Sequence, residues 1–289
     1  MAYQKVMSLD LLSAQNKVWE QLSQIGTSER VGSAYLFSGP TGCGKEGLAI
    51  RFSQLLNCDL PGKTPCDTCP SCHRFHQLQH EKLKLIFPLP IVKKNKDEES
   101  GELSPVGKGD MELVTDAIAK KSEDFYYKIQ IPRSNRILIQ SVRELRRTLY
   151  LKSDPKGRKI VLIFDAHLLS AGQGEAANAL LKILEEPPDN TTLILVTDHV
   201  ELLLPTILSR CQRVGIPKLE DGFVRDWLQM KMVKESEIPF LAGLSQGNIH
   251  QARSLISQSV GDLMKLVNGL IKIITNNEPD HWRKFTQTY

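Results

Sequence analysis

Gly39-Pro40-Thr41-Gly42-Cys43-Gly44-Lys45-Glu46 follows the apolar run Ala34-Tyr35-Leu36-Phe37 and opens a helix-like segment from Gly47 to Leu56. It reads as a phosphate-binding loop of the pattern G-x-x-x-x-G-K-[ST] with one altered position. In such a loop the glycines let backbone N–H groups turn inward around phosphate oxygens, the helix N-terminus adds partial positive charge, and the lysine reaches the outer phosphates. Gly39, Gly44 and Lys45 satisfy the pattern, and Gly42 lies between them. The last position calls for Ser or Thr, whose hydroxyl holds Mg²⁺. Glu46 instead points a carboxylate towards a site built for anions, where it is expected to repel phosphates.

This strand, loop and helix set the fold class. Ala34 to Ser38 is short, apolar and unalternating, as expected of a parallel strand buried on both faces. Lys159 to Phe164 (KIVLIF) and Thr192 to Thr197 (TLILVT) read the same way, and between them Gly174 to Glu186 is a helix stopped by Pro187-Pro188. Strands alternating with helices predict a parallel sheet in an α/β domain. Leu11, Leu12, Val18, Leu22 and Ile25 predict one amphipathic helix from Asp10 to Gly26, and Lys45 to Asn57 is the helix behind the phosphate loop. Ser141 to Leu151 is a further helix, with Arg143, Arg146 and Arg147 as a basic face. Residues 92–110 are polar, charged and rich in Gly, Ser and Pro, which predicts a solvated or disordered insertion, with order resuming near Met111.

After Pro217 the pattern is wholly helical, through about residues 219–230, 235–244 and 248–256, so a boundary is expected near residue 216. A last amphipathic stretch aligns Leu263, Leu266, Val267, Leu270, Ile271 and Ile274 as core or partner contact. Phe223 and Trp227, at i and i+4, read as core of the helical part rather than as a stacking site for bases.

Composition excludes several classes. The 289 residues are 41% hydrophobic and 24% charged, and 37 basic against 33 acidic side chains leave a net charge of +4, too mild to argue for nucleic acid alone. No apolar run approaches the length of a membrane helix, and Met1 to Asp10 lacks a signal peptide's apolar region, so a cytoplasmic chain without a membrane partner is expected. Cysteines are then reduced, and four of the six crowd into Cys58-x7-Cys66-x2-Cys69-x2-Cys72. Four thiolates at that spacing suit tetrahedral Zn²⁺ in a closed structural site. Residues 58–80 carry only Lys63 and Arg74 as fixed cations, too few for a phosphate-tracking surface.

Asp165, at the end of KIVLIF, is placed to hold Mg²⁺ directly or through water; as a bare sequence feature it also suits a turn or helix cap. The residue after it is Ala166, where ATPases of this build usually carry a glutamate that polarises the attacking water, and a methyl cannot act as general base.

Ala176 to Pro188 (AANALLKILEEPP), Leu204 to Cys211 (LPTILSRC), residues 30–45 (RVGSAYLFSGPTGCGK), the four-cysteine module and residues 159–169 (KIVLIFDAHLL) together resemble the clamp-loader subunits of the AAA+ class, most of all the delta-prime type of bacterial DNA polymerase III. The resemblance covers most of residues 10–256. It implies a subunit of a five-membered ATP-driven machine that opens a sliding clamp and closes it around primed DNA, with gamma/tau and delta subunits as partners. It also implies that Arg210, in the Ser-Arg-Cys motif, reaches in trans into a neighbour's ATP site. That role suits a permanent planar cation, although the bare sequence also allows an arginine completing a helix C-terminus.

Three positions depart from an active site of this class: Glu46, Ala166, and His250, which stands where many ATP-binding relatives carry a nucleotide-sensing arginine. His250 also reads as an ordinary helix-surface residue. The combination predicts a subunit that keeps the fold and the donated arginine while losing its own hydrolysis, with ATP bound weakly or not at all; the alternative is a gamma/tau-like subunit that hydrolyses ATP itself. The expected architecture is an AAA+ α/β domain over residues 1–216, with a zinc module at 58–80 and a polar insertion at about 90–135. A helical lid over 217–257 and the start of a truncated or minimal helical collar over 258–289 complete it.

Overall fold

The structure, a computed structural model, describes residues 11–28, 30–90, 108–150, 157–258 and 260–276. The chain divides into two compact units, Met1–Lys218 and Leu219–Tyr289.

The first unit opens on α1 (Leu11–Ala14) and α2 (Asn16–Thr27), followed by β1 (Ala34–Ser38) and α3 (Lys45–Leu55). The single helix expected from Asp10 to Gly26 is therefore broken. Gln15 leaves the helical region at φ −121° because its buried side-chain amide donates to Cys43 O at 3.1 Å and Pro217 O at 2.9 Å, tying the N-terminus to the phosphate loop and to the end of the unit.

Next come α4 (Pro70–His76), β2 (Leu83–Ile86), α5 (Lys108–Glu123) and α6 (Ile139–Leu149). Then β3 (Lys159–Ile163), α7 (Glu175–Glu185), β4 (Thr191–Thr197), α8 (Pro205–Leu208) and β5 (Gln212–Gly215) complete the unit. All strand pairings are parallel, in the order β2-β3-β4-β1-β5.

The central strands are apolar throughout because helices cover both sheet faces. Leu36, Val161, Ile163, Leu193 and Leu195 join a core with Val142 and Leu145 of α6 and Leu180 and Ile183 of α7. On strand positions of the opposite parity, Tyr35 and Phe37 meet Phe52 of α3, with ring centroids 5.6 and 6.3 Å apart. Each such side chain contributes about 1.5–3 kcal/mol through burial.

Order resumes close to the expected position near Met111. The first part of the polar insertion, to residue 107, lies outside the described residues, but from Lys108 it forms α5, and the segment beyond buries Tyr126, Ile129 and Ile131. Spacing explains this: Ala117 turns one helical position of α5 inward, while Ile129 and Ile131 alternate with exposed or half-buried neighbours.

In the second unit α9 (Asp221–Met230), α10 (Ile238–Ser245) and α11 (Ile249–Ile256) share a core of Val224, Trp227, Leu228, Leu241, Ala242 and Ala252. Trp227 is thus core, with Lys231 and Arg253 over its ring at 5.5 and 5.8 Å. Asn248 caps α11 by accepting from the backbone N–H groups of His250 and Gln251. The last amphipathic stretch forms α12 (Val260–Asn276). No described helix is long and apolar enough to cross a membrane.

Candidate functional site

Parallel register brings the C-terminal ends of β1, β3 and β4 to one edge of the sheet, where α/β folds build their sites, and the glycine loop leaves β1 there. Gly44, at φ 89°, turns the chain into α3, and Gly42 is also left-handed, at φ 72°. Gly39 admits no side chain, since a Cβ there would stand 2.0 Å from Ile216 O. The loop therefore has backbone turns that only glycine adopts readily.

Its lysine is engaged elsewhere. Lys45, 4% exposed, places Nζ 2.6 Å from Asp198 Oδ1 and donates to Pro40 O at 2.6 Å. Thr41 Oγ1 donates to Asp198 Oδ2 at 2.9 Å. Burial works against the Asp198 charge, but Lys128 and Lys45 outweigh it and hold the carboxyl below its ordinary value.

The expectation that Glu46 repels anions also fails. Lys121 donates to Glu46 Oε2 at 2.5 Å, and Lys128 Nζ lies 3.6 Å from Glu46 Oε1. Lys121, 1% exposed, also donates to Phe125 O at 2.8 Å and Tyr127 O at 2.6 Å. Complete burial pulls the ammonium below its ordinary pKa, and Glu46 opposes that. Three acceptors around one nitrogen match the three N–H donors of an ammonium.

Asp165 adopts φ 50° at the start of the 3-10 turn Ala166–Leu169, yet its side chain does not cap that turn. Asp165 Oδ1 accepts from Lys128 Nζ at 2.5 Å, and Asp198 Oδ2 lies 3.9 Å from the same nitrogen. Burial opposes the Lys128 charge, but Glu46, Asp165 and Asp198 hold it protonated well above the ordinary lysine range. Ala166 is fully buried and offers no polar group.

Asp198, Lys121 and Lys128 are the site residues that sequence reasoning missed. Asp198 had a signal, since it ends an apolar strand just as Asp165 does. The two lysines had none, because they sit in a stretch that reads as wet surface.

Arg210 lies just past α8, 35% exposed and clear of this cluster. Its Nη2 donates to Glu185 Oε1 at 2.9 Å, at the end of α7, and Nη1 donates to Thr206 O at 3.0 Å. The guanidinium is thus held at the surface by a neighbouring carboxylate and a helix carbonyl. His250 belongs to the first turn of α11 in the second unit.

The sulfurs of Cys58, Cys66, Cys69 and Cys72 all lie within 4.8 Å of one another. A tetrahedral zinc with metal–sulfur arms of about 2.3 Å has edges of about 3.8 Å, so the cluster fits that ion. Cys66 and Cys72 already stand 3.9 Å apart, and the amides of Cys69 and Cys72 donate to the sulfurs of Cys66 and Cys69. Hydrogen bonds from Thr68 lower the Cys66 pKa to about 6, which favours the thiolate a metal needs. The module is fastened to α3: Arg51 forks onto Asp67, and Gln54 Nε2 donates to Cys72 O at 3.0 Å.

A family model described as "DNA polymerase III, delta subunit" matches residues 14–220. The chain is 26% identical over 267 residues to DNA polymerase III subunit tau of Bacillus subtilis, covering 89% of this chain and 39% of that protein. It is 26% identical over 270 residues to DNA polymerase III subunit delta' of the same organism, covering 93% of this chain and 66% of that protein. A crystal structure of a DNA polymerase III gamma subunit-related protein from Thermotoga maritima aligns with a TM-score of 0.47 and 20% identity, over 87% of this chain and 62% of that one. The chain thus spans about two fifths of the tau relative and about two thirds of the delta' relative. With the family match extending from α2 through β5 and including the glycine loop, the chain belongs to the DNA polymerase III delta-subunit family.

Proposed function

We propose that the chain is a delta-prime-like, non-hydrolysing subunit of the DNA polymerase III clamp loader, which donates Arg210 to a neighbouring subunit's ATP site. Its partners are the gamma/tau and delta subunits, and through the assembled loader the sliding clamp and primed DNA. The observation that carries the reading is the charge-closed pocket: Lys45, Lys121 and Lys128 are all paired with Asp198, Glu46 and Asp165, and Ala166 supplies no base. A chain whose own pocket is spent in this way, while Arg210 remains at the surface, is suited to act in trans. Residues 1–216 serve as the AAA+ domain, 217–257 as its lid and 258–289 as the start of a collar. Cys58, Cys66, Cys69 and Cys72 hold a structural zinc.

The test is a reconstituted loader containing Arg210→Ala. It should still assemble but lose much of its clamp-stimulated ATP turnover, the site that receives Arg210 slowing by about 10³-fold or more, the scale of an arginine finger. Unchanged turnover refutes the role. A gamma/tau-like motor is the second reading, favoured by the equal 26% identity to tau and delta' relatives. Hydrolysis by the purified chain that Lys45→Ala abolishes would establish it.

A further inference from the structure

The three lysines and three carboxylates of the pocket form one network. Lys45 pairs with Asp198, Lys121 with Glu46, and Lys128 reaches Asp165 at 2.5 Å, Glu46 at 3.6 Å and Asp198 at 3.9 Å. All six side chains are at least four-fifths buried, from 1% exposed at Lys121 to 18% at Lys128. Their formal charges cancel. In a working phosphate loop the position of Glu46 and the strand-end carboxylate converge on a divalent cation; here both converge on an ammonium.

We propose that Lys128 is the resident cation of this pocket, its ammonium filling the place of a divalent ion among Asp165, Glu46 and Asp198. The segment from Lys121 to Lys128 then acts as a strap that keeps the phosphate loop closed to a metal-bound nucleoside triphosphate. The strap is packed as well as charged. A Cβ on Gly44 would lie 3.1 Å from the Tyr126 ring, and one on Gly47 would lie 2.9 Å from Phe125 Cβ, so both aromatic residues rest against the start of α3.

The charge balance explains why a tether replaces a free ion. A divalent cation added to the neutral network leaves two uncompensated positive charges, and a metal-bound triphosphate leaves two negative ones, in a site largely removed from water. Lys128 is covalently held, so it competes with solution cations at a high effective concentration set by its tether. Glu46 completes the arrangement, because a Ser or Thr hydroxyl there offers Lys121 no counter-charge. The altered letter of the loop and the two lysines of the strap form one unit.

The experiment uses the full chain saturated with zinc, so that the cysteine cluster takes no other ion, and Mn²⁺ as the probe, followed by electron paramagnetic resonance. Removing the ammonium leaves three carboxylates around a vacated cation position. Lys128→Met is expected to bind a single Mn²⁺ about tenfold or more tightly than the parent chain. Asp165→Asn in the same background is expected to abolish that gain. The thermal midpoint of the parent chain stays unmoved by Mg²⁺-ATP. Should Lys128→Met lose its folded circular-dichroism signature, Lys128→Gln, which removes the charge but keeps a polar donor and leaves Glu46 paired with Lys121, carries the same test. Equal Mn²⁺ binding by parent and variant overturns the proposal, as does acquired binding that survives Asp165→Asn, or stabilisation of the parent by Mg²⁺-ATP. None of these readouts involves Arg210, so they stand or fall apart from its role in trans.

Discussion

Lys121→Met isolates the deepest part of the strap. Lys121 is 1% exposed, and its ammonium sits 2.5 Å from Glu46, 2.8 Å from Phe125 O, 2.6 Å from Tyr127 O and 5.6 Å from the Phe164 ring centroid. Methionine keeps most of the apolar volume and removes the charge and all three donors. Stripping one partner from a buried ion pair costs about 3–5 kcal/mol, because the remaining charge is left uncompensated. Lys128, 3.6 Å from the other Glu46 oxygen, retains part of the compensation, while two carbonyls lose their donors. The expected loss is therefore about 3 kcal/mol, roughly a hundredfold in the folding equilibrium constant. Urea unfolding of the first unit, followed by far-ultraviolet circular dichroism, measures it. The double variant Lys121→Met/Glu46→Met removes both charges and should recover at least half of the loss, since a buried pair is often replaceable by packed apolar groups. A single variant costing under about 1 kcal/mol, or a double variant no more stable than the single, refutes the claim that Glu46 is neutralised from within.

Two further outcomes follow from the same geometry. The Asp198 carboxyl is held below its ordinary value of 3.8, so between the folded and unfolded pKa values the unfolded chain binds more protons. That stabilisation is complete above about pH 4 and is lost as pH falls through the lowered folded-state value. Asp198→Asn should accordingly flatten the fall of the urea midpoint between about pH 5 and pH 3, and an unchanged slope would remove Asp198 from the network. Chelation of the metal, or Cys72→Ser, should release one zinc by native mass spectrometry and loosen α4, because the cysteine module has little core beyond Phe75. A chain that purifies without zinc and keeps α4 protected from hydrogen exchange would count against the site.

What the sequence made legible, and what it hid, follows from where each signal is stored. β1, β3 and β4 are continuous apolar runs because both their faces are covered, so they are visible in isolation. β2 and β5 escaped because they are short edge strands. Lys84 and Gln212-Arg213 face outward, leaving no run and no clean alternation. The helix break at Gln15 was equally hidden, since its cause is a pair of carbonyls 28 and 202 residues away.

The pocket divides along the same line. Gly39, Gly42, Gly44, Lys45 and Asp165 were legible because a phosphate loop and a strand-end acid are local patterns. Glu46 was legible as a departure and misread in its effect. Viewed locally, a carboxylate beside a phosphate cradle is repulsion. Its partner Lys121 is 75 residues away, and Lys128 is 37 residues from Asp165, both in a stretch whose composition says only that it is polar. A carboxylate's electrostatic meaning depends on which cation the fold places beside it, and that is a tertiary quantity that no spacing rule encodes. The cysteine cluster shows the converse case, since its four cysteines fall within 15 residues and their spacing already points to the cluster. The altered eighth letter of the loop therefore argues for lost chemistry only in company with the strap. Glu46 beside Lys121 and Lys128 is a pocket already filled, whereas Glu46 without them would be a pocket left open and negatively charged.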